Sequence, residues 1–301
     1  MHILITGGTG FIGRHLADFF LSQGHKISIL SRQTQRPATL DGEISLITQL
    51  DHQQSYSVII NLAGAPLNQK RWSKSVKENI LNSRLSVTKS ILHYLQQCEH
   101  KPKLLISGSA IGFYGEAQEQ VFSETTLPAT YDFPHQLCQK WEQTALQAEP
   151  LGTRVCLLRT GIVLGPHGGV LEKMWWPFKL GLGAKLGNGK QWMSWIHIKD
   201  MVLAINYLMI NNWQGPVNLV APNAVTNAEF SAVLAKQFNK RCWFSMPALF
   251  ARMLFGEMGE KLLLQGQHVV PERLQAAGYK FQFDRLEPAL NDIACNWSKP
   301  N

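Results

Sequence analysis

The octapeptide Thr6-Gly7-Gly8-Thr9-Gly10-Phe11-Ile12-Gly13 lies between the apolar run Ile3–Ile5 and a segment with Ile12, Leu16, Phe19 and Phe20 on one helical face. A strand that turns through glycines straight into an amphipathic helix leaves few folds open. Gly7 is suited to the tight turn. Gly10 removes a side chain where backbone approaches a pyrophosphate, and Gly13 lets the helix pack closely on the strand. The first helical turn then offers unpaired N–H groups and a favourable dipole to an anion. Thr9, Phe11 and Ile12 complete this candidate cofactor loop.

Short apolar runs alternate with helix-period segments through the first 160 residues. Strands are predicted at Ile3–Ile5, Ile27–Leu30, Ile44–Ile47, Val58–Leu62, Leu104–Ile106 and Val155–Leu158, several of them continuously apolar, as parallel strands covered on both faces are. Helices are predicted after the glycine loop up to Gly24, over 74–97 and over 135–147. The pattern implies an α/β protein, a Rossmann-type doubly wound parallel sheet with a smaller, mostly helical C-terminal lobe. The expected division is a dinucleotide-binding domain over 1–220 and a substrate-side lobe over 221–301. Residues 161–198, rich in glycine and tryptophan, read as a long, partly ordered lid over the C-terminal edge of the sheet.

Composition narrows the function. Apolar residues make up 45% of the 301 and charged residues 17%, which suits a globular core. No apolar run reaches membrane-spanning length and the N-terminus lacks a signal-peptide pattern, so a cytoplasmic protein with no membrane partner is expected. The five cysteines form no Cys-x-x-Cys pair and the acids and histidines show no ligand spacing, so no metal is expected. The net charge of +8 is dispersed apart from Lys70, Arg71, Lys74 and Lys77, with no nucleic-acid motif. That cluster reads either as a solvated surface or as an anion-facing loop beside the cleft.

At the end of the second strand, where an NAD-selective site places a carboxylate against the ribose, this chain has Ser31-Arg32. A hydroxyl and a guanidinium accept a 2′-phosphate that a carboxylate would repel, so the expected cofactor is NADP(H).

Further motifs resemble the extended short-chain dehydrogenase/reductases. Asn61-Leu62-Ala63-Gly64 resembles their Asn-x-Ala-Gly element, Trp195-Ile196-His197-Ile198-Lys199-Asp200 their hydrophobic-His-hydrophobic-x-Asp element, and Arg159-Thr160-Gly161 through Gly165-Pro166 their segment near the nicotinamide. Lys70-Arg71-Trp72, Asn82-Ser83-Arg84, Lys140-Trp141-Glu142 and Pro177 to Gly183 resemble one atypical, epimerase-like subgroup, of NAD-dependent epimerase/dehydratase type with a small C-terminal domain of unassigned function. Gln265-Gly266-Gln267 and Val270-Pro271-Glu272-Arg273-Leu274 resemble that small domain. The resemblance implies cofactor contacts at the glycine loop, Ser31, Arg32, Leu62, Ala63, Gly64, Arg84, Thr160 and Val163, with Arg71, Trp72 and His197 on the substrate side.

The catalytic pair of that superfamily is missing. No tyrosine is followed four residues later by lysine; aligned on Trp141-Glu142, the tyrosine position falls on Pro134 and the lysine position on Cys138. Ser109, in Ser107-Gly108-Ser109, stands where a substrate-orienting serine is expected, and Tyr114 is the remaining candidate proton donor. Each has a plainer reading, Ser109 as a turn residue and Tyr114 as a packed aromatic; His135 and His197 are weaker acid–base candidates, and Cys138 reads as inert. Two functions stay open: an NADP(H)-dependent oxidoreductase or epimerase on a small substrate, nucleotide-linked or otherwise anionic, and a catalytically degenerate NADP(H)-binding sensor that engages a protein partner, either one a monomer or a homodimer.

Overall fold

The computed structural model describes residues 1–32, 44–68 and 70–297. The chain runs β1 (His2–Thr6), α1 (Phe11–Ser22), β2 (Lys26–Leu30), β3 (Ile44–Ile47), β4 (Val58–Asn61), α2 (Lys74–Gln97), β5 (Leu104–Ala110), β6 (Ala117–Phe122), α3 (Phe133–Leu146), β7 (Arg154–Thr160) and β8 (Ile162–Leu164). It continues through α4 (Gly169–Lys179), β9 (Ala184–Leu186), β10 (Trp192–Met193), β11 (Trp195–His197), α5 (Ile198–Ile210), β12 (Gly215–Leu219), β13 (Val225–Thr226) and α6 (Asn227–Lys236). The last elements are β14 (Phe244–Met246), α7 (Ala248–Gly259), β15 (Gln267–Val269), α8 (Glu272–Ala276) and α9 (Leu286–Trp297).

Seven strands form one sheet in the order β12-β7-β5-β4-β1-β2-β3, parallel at every pairing. Chain order reverses between β1 and β4, which opens a crevice at the C-terminal ends of these strands, where α/β sheets bind ligands. Alternate side chains feed two layers. Ile3, Ile5, Ile27, Ile60 and Leu158 pack with Leu16 and Phe20 of α1 and Ile205 of α5. Leu4, Ile59, Leu105 and Leu157 pack on the other face with Ile91 and Leu95 of α2 and Ala145 of α3. Gly24, with φ of +75°, follows the end of α1 in the left-handed conformation expected of a helix stop.

The segment expected to be a long lid loop is instead ordered into β8, α4 and β9. Leu171, Trp175 and Phe178, spaced at i, i+4 and i+7, are buried, and the Trp175 ring stacks on Trp297 at 3.8 Å between centroids. That burial overrides the helix-breaking tendency of Gly168, Gly169 and Pro177. A second core joins these residues to Trp195, Phe230, Leu234 and Leu290. Among the described residues no helix is long and apolar enough to cross a membrane.

Candidate functional site

The glycine turn closes the crevice at the β1 end. Gly7 has φ of +71°, and a Cβ on it would sit 2.8 Å from the Leu62 carbonyl. A Cβ on Gly13 would lie 2.3 Å from the Gly7 oxygen and 2.6 Å from Gly8 Cα, so α1 rests directly on the turn. Gly10 differs: its added Cβ would meet only the Gly7 oxygen, at 3.2 Å, and its other side is open. No side chain caps the N-terminus of α1. The first-turn amides therefore lie beside an exposed glycine, and among the described residues no side chain caps them, which fits a pyrophosphate. The Phe11 ring is packed beneath Gly165 and Gly168, and the Ile12 side chain packs against the core, so these two residues have only backbone to offer at the crevice.

At the end of β2, the Ser31 amide donates to the Ile47 carbonyl at 2.9 Å, tying β2 to β3, and Arg32 is exposed.

The loop after β4 is held by a buried polar relay. The Thr6 hydroxyl donates to Asn61 Oδ1 at 2.7 Å and accepts from the Ala63 amide at 3.2 Å. Asn61 Nδ2 donates to the Thr88 hydroxyl at 2.9 Å, which also accepts from Trp141 Nε1 at 3.2 Å. Asn61 thus fixes the loop rather than reaching the crevice. Arg84 braces the same loop: its Nη1 donates to the carbonyls of Ala65 and Ile80, each at 3.0 Å, and a Cβ on Gly64 would strike its guanidinium carbon at 2.8 Å. Burial holds this guanidinium below its usual range, and its Nε has no protein partner.

The two candidate catalytic hydroxyls are not presented to a substrate. Ser109 is buried and donates to Glu142 Oε1 at 2.6 Å. Glu142 receives two further bonds from Arg159, both at 2.9 Å. Arg159 Nη1 donates to the Tyr114 hydroxyl at 3.2 Å, and Tyr114 donates to Asn218 Oδ1 at 2.7 Å. Tyr114 is 0% exposed, stacked on Phe122, with its hydroxyl pushed up to about 12 by burial. The Tyr114 hydroxyl is thus held inside the core, and the Ser109 hydroxyl is bonded to a buried carboxylate. Pro134 and Cys138, at the superfamily's tyrosine and lysine positions, face Gly112, and burial, with the nearby Glu142 charge, pushes the Cys138 thiol up to about 12.

Sequence reasoning quoted Glu142 and Arg159 only as motif letters. The signal was there: an acid on the inward face of a helix beside Trp141, and an arginine continuing the apolar run of β7. The network extends to Glu124, which accepts from the Asn218 and Arg273 amides at 3.0 and 3.3 Å and thereby binds the sheet to the segment before α8.

Arg71 and Trp72 lie just before α2, with Arg71 exposed and Trp72 half-buried. The Arg71 guanidinium lies beside Gly256 of α7, and Trp72 donates Nε1 to Leu67 at 2.9 Å while packing edge-on against Phe133. Lys77–Glu257 at 2.6 Å and Lys261–Asp132 at 2.9 Å tether the α7 region over the N-termini of α2 and α3. Thr160 and Val163 are half-buried, at the end of β7 and in β8. His197, expected on the substrate side, is instead 0% exposed: its Nδ1 accepts from the Lys199 amide at the start of α5, its Nε2 faces Asp292 at 3.4 Å, and its ring lies against Phe283. His135 is buried too, its Nδ1 donating to the Phe113 carbonyl at 2.6 Å. Among the described residues no cluster of three or more His, Cys, Asp or Glu side chains is disposed to hold a metal.

A glycine turn at the switch point of a parallel sheet, with an uncapped helix behind it, defines a dinucleotide-binding fold of the epimerase and oxidoreductase kind. The chain belongs to the NAD dependent epimerase/dehydratase family, whose model matches residues 3–220, while residues 246–293 match a domain of unknown function, DUF1731. It is 34% identical to the epimerase family protein YfhF of Bacillus subtilis over 97% of this chain and 98% of that one. The crystal structure of the human epimerase family protein SDR39U1 (isoform 2) with NADPH superposes with a TM-score of 0.89 at 31% identity, covering 98% of this chain and 100% of that one. A Thermotoga maritima UDP-glucose 4-epimerase, at 18% identity and a TM-score of 0.80 over 98% of this chain and 97% of that one, shares the fold. Family and fold together support NAD(P)-dependent epimerase or oxidoreductase activity in general.

Proposed function

We propose that the protein binds NADP(H) in preference to NAD(H) and exchanges hydride with a small substrate without a tyrosine proton donor. The observation that carries the cofactor reading is Ser31-Arg32 at the end of β2, where no carboxylate stands to accept a ribose 2′-hydroxyl. The crystal structure of the human relative with NADPH supports it. Gly7, Thr9, Gly10 and Gly13, with the amides of Phe11 and Ile12, would hold the pyrophosphate; Leu62, Ala63 and Gly64 would flank the adenosine side; Thr160 and Val163 would stand nearer the nicotinamide. The bound cofactor supplies hydride at its nicotinamide ring. The residues of this chain bind and orient, while Arg71, with Trp72 beside it, offers a positive charge to an anionic substrate group at the mouth.

Calorimetry with NADPH, NADP⁺, NADH and NAD⁺ tests the cofactor reading: tight binding confined to the phosphorylated pair supports it, and equal affinity for NADH defeats it. Consumption of NADPH with carbonyl compounds and nucleotide sugars tests turnover.

The second reading, a cofactor-responsive protein that engages a partner, is favoured by one observation: the Ser109 and Tyr114 protons are both taken up inside the protein. It predicts tight NADPH binding with no consumption in any assay, and cofactor-dependent protection of α7 against proteolysis.

A further inference from the structure

Among the described residues, nine of the fourteen exposed large apolar side chains fall in two stretches, 176–182 and 243–254. The first holds Trp176, Leu180 and Leu182. The second holds Trp243 and Phe244, then Leu249, Phe250, Met253 and Leu254 on α7. These stretches adjoin through the β9–β14 pairing. β9, just after Leu182, pairs with β14, which begins at Phe244, and the Cys242 thiol donates to the Gly183 carbonyl between them. The α7 residues follow β14 directly and recur at i, i+1, i+4 and i+5, the outward stripe of the helix; Ala251 and Met258 face inward. A monomer rarely leaves so much contiguous apolar surface uncovered without a use for it.

Charge identifies the occupant. From Gly169 to Gly259, the start of α4 to the end of α7, the chain carries seven lysines and two arginines against four acids, Glu172, Asp200, Glu229 and Glu257, of which Asp200 is buried. Lys179, Lys240 and Arg241 are exposed along the apolar strip. Lys179 sits 4.8 Å over the Trp176 ring and Arg241 5.5 Å over Trp243. A second copy of this chain would bring like charge against like charge. Tryptophan and bulky aliphatics flanked by cations suit a plane that is apolar below and anionic above.

We propose that this face docks on the surface of an anionic phospholipid membrane, with Trp176, Trp243 and the α7 stripe entering the headgroup region and Lys179, Lys240 and Arg241 meeting phosphates. A span is not required, so the lack of one says nothing against it. The docking is independent of what the cofactor does.

Flotation with phosphatidylcholine vesicles, with and without phosphatidylglycerol, tests this on the full chain. The wild type is expected to float with the anionic vesicles, weakly with the neutral ones, and less at high salt. Brominated lipid is expected to quench part of its tryptophan fluorescence. Leu249→Ser/Phe250→Ser/Met253→Ser and Lys179→Glu/Lys240→Glu/Arg241→Glu are each expected to weaken binding at least about tenfold, while NADPH affinity and melting temperature stay as in the wild type. Absence of wild-type flotation overturns the proposal, as does flotation of both variants equal to the wild type. A concentration-dependent dimer that both variants abolish, without vesicle binding, also overturns it and makes the face a self-association surface.

Discussion

Glu142 and Arg159 meet through two 2.9 Å hydrogen bonds with both side chains almost wholly buried, and Ser109 adds its hydroxyl to the same carboxylate. The pair joins α3 to β7. Its charges balance only while both partners are present.

Removing one partner leaves a buried, unpaired charge. Glu142→Ala is expected to destabilise the protein by about 3–5 kcal/mol, read as a shift in the urea midpoint at unchanged slope. Glu142→Gln, which keeps shape and an acceptor but still strands the Arg159 charge, is expected to fall between wild type and alanine.

Tyr114→Phe separates a structural tyrosine from a catalytic one. It deletes the donor to Asn218 and the acceptor for Arg159, so a loss of about 1–3 kcal/mol in unfolding free energy is expected. NADPH affinity, and any turnover per folded molecule, are expected to stay within about twofold. A turnover drop of several hundredfold at intact stability would restore Tyr114 as the acid.

Two glycines of the turn are expected to respond differently to alanine. Gly13→Ala drives a methyl against the Gly7 oxygen and Gly8 Cα, costing about 1–3 kcal/mol or more in stability. Gly10→Ala has only one neighbour at 3.2 Å and an ordinary φ of −80°, so its melting temperature changes little while the methyl weakens NADPH binding. Melting curves and calorimetry on both variants check the contrast.

Arg32→Asp replaces a guanidinium with the carboxylate of an NAD site. NADPH affinity is expected to fall roughly 10–100-fold, as for loss of a charged hydrogen bond, with NADH affinity rising. Unchanged preference would remove Arg32 from cofactor selection.

His197 governs part of the acid stability. Burial holds its imidazole down at about 4, against 6.5 for an unperturbed histidine, despite the nearby Asp292. The unfolded chain therefore binds a proton that the folded one refuses. Its contribution is complete above pH 6.5 and is lost as pH falls from 6.5 toward 4, by an amount on the order of 3 kcal/mol. Urea unfolding at a series of pH values is expected to show a shallower acid decline in His197→Phe than in the wild type.

The glycine turn, the parallel strands and α2 were legible because each is written locally: left-handed glycine, continuous apolar runs, and a helical period with Ile80, Thr88, Ile91 and Leu95 inward. Residues 161–190 misled because glycine and proline spell a loop, whereas Trp175 meets Trp297 across more than a hundred residues and orders a helix. Pairings such as β6 with β15 leave no periodic trace at all.

The sequence alone determined the dinucleotide cradle, the absence of a tyrosine–lysine pair and the expectation of a 2′-phosphate at Ser31-Arg32, since these depend on which residues occupy a few neighbouring positions. Only the tertiary structure decided that Ser109 and Tyr114 donate to Glu142 and Asn218, that His197 is a buried helix cap, and that Trp176, Trp243 and the outer stripe of α7 are left exposed. A hydroxyl's role is set by the acceptor that reaches it, and exposure by what packs above, and both come from residues far apart in the chain.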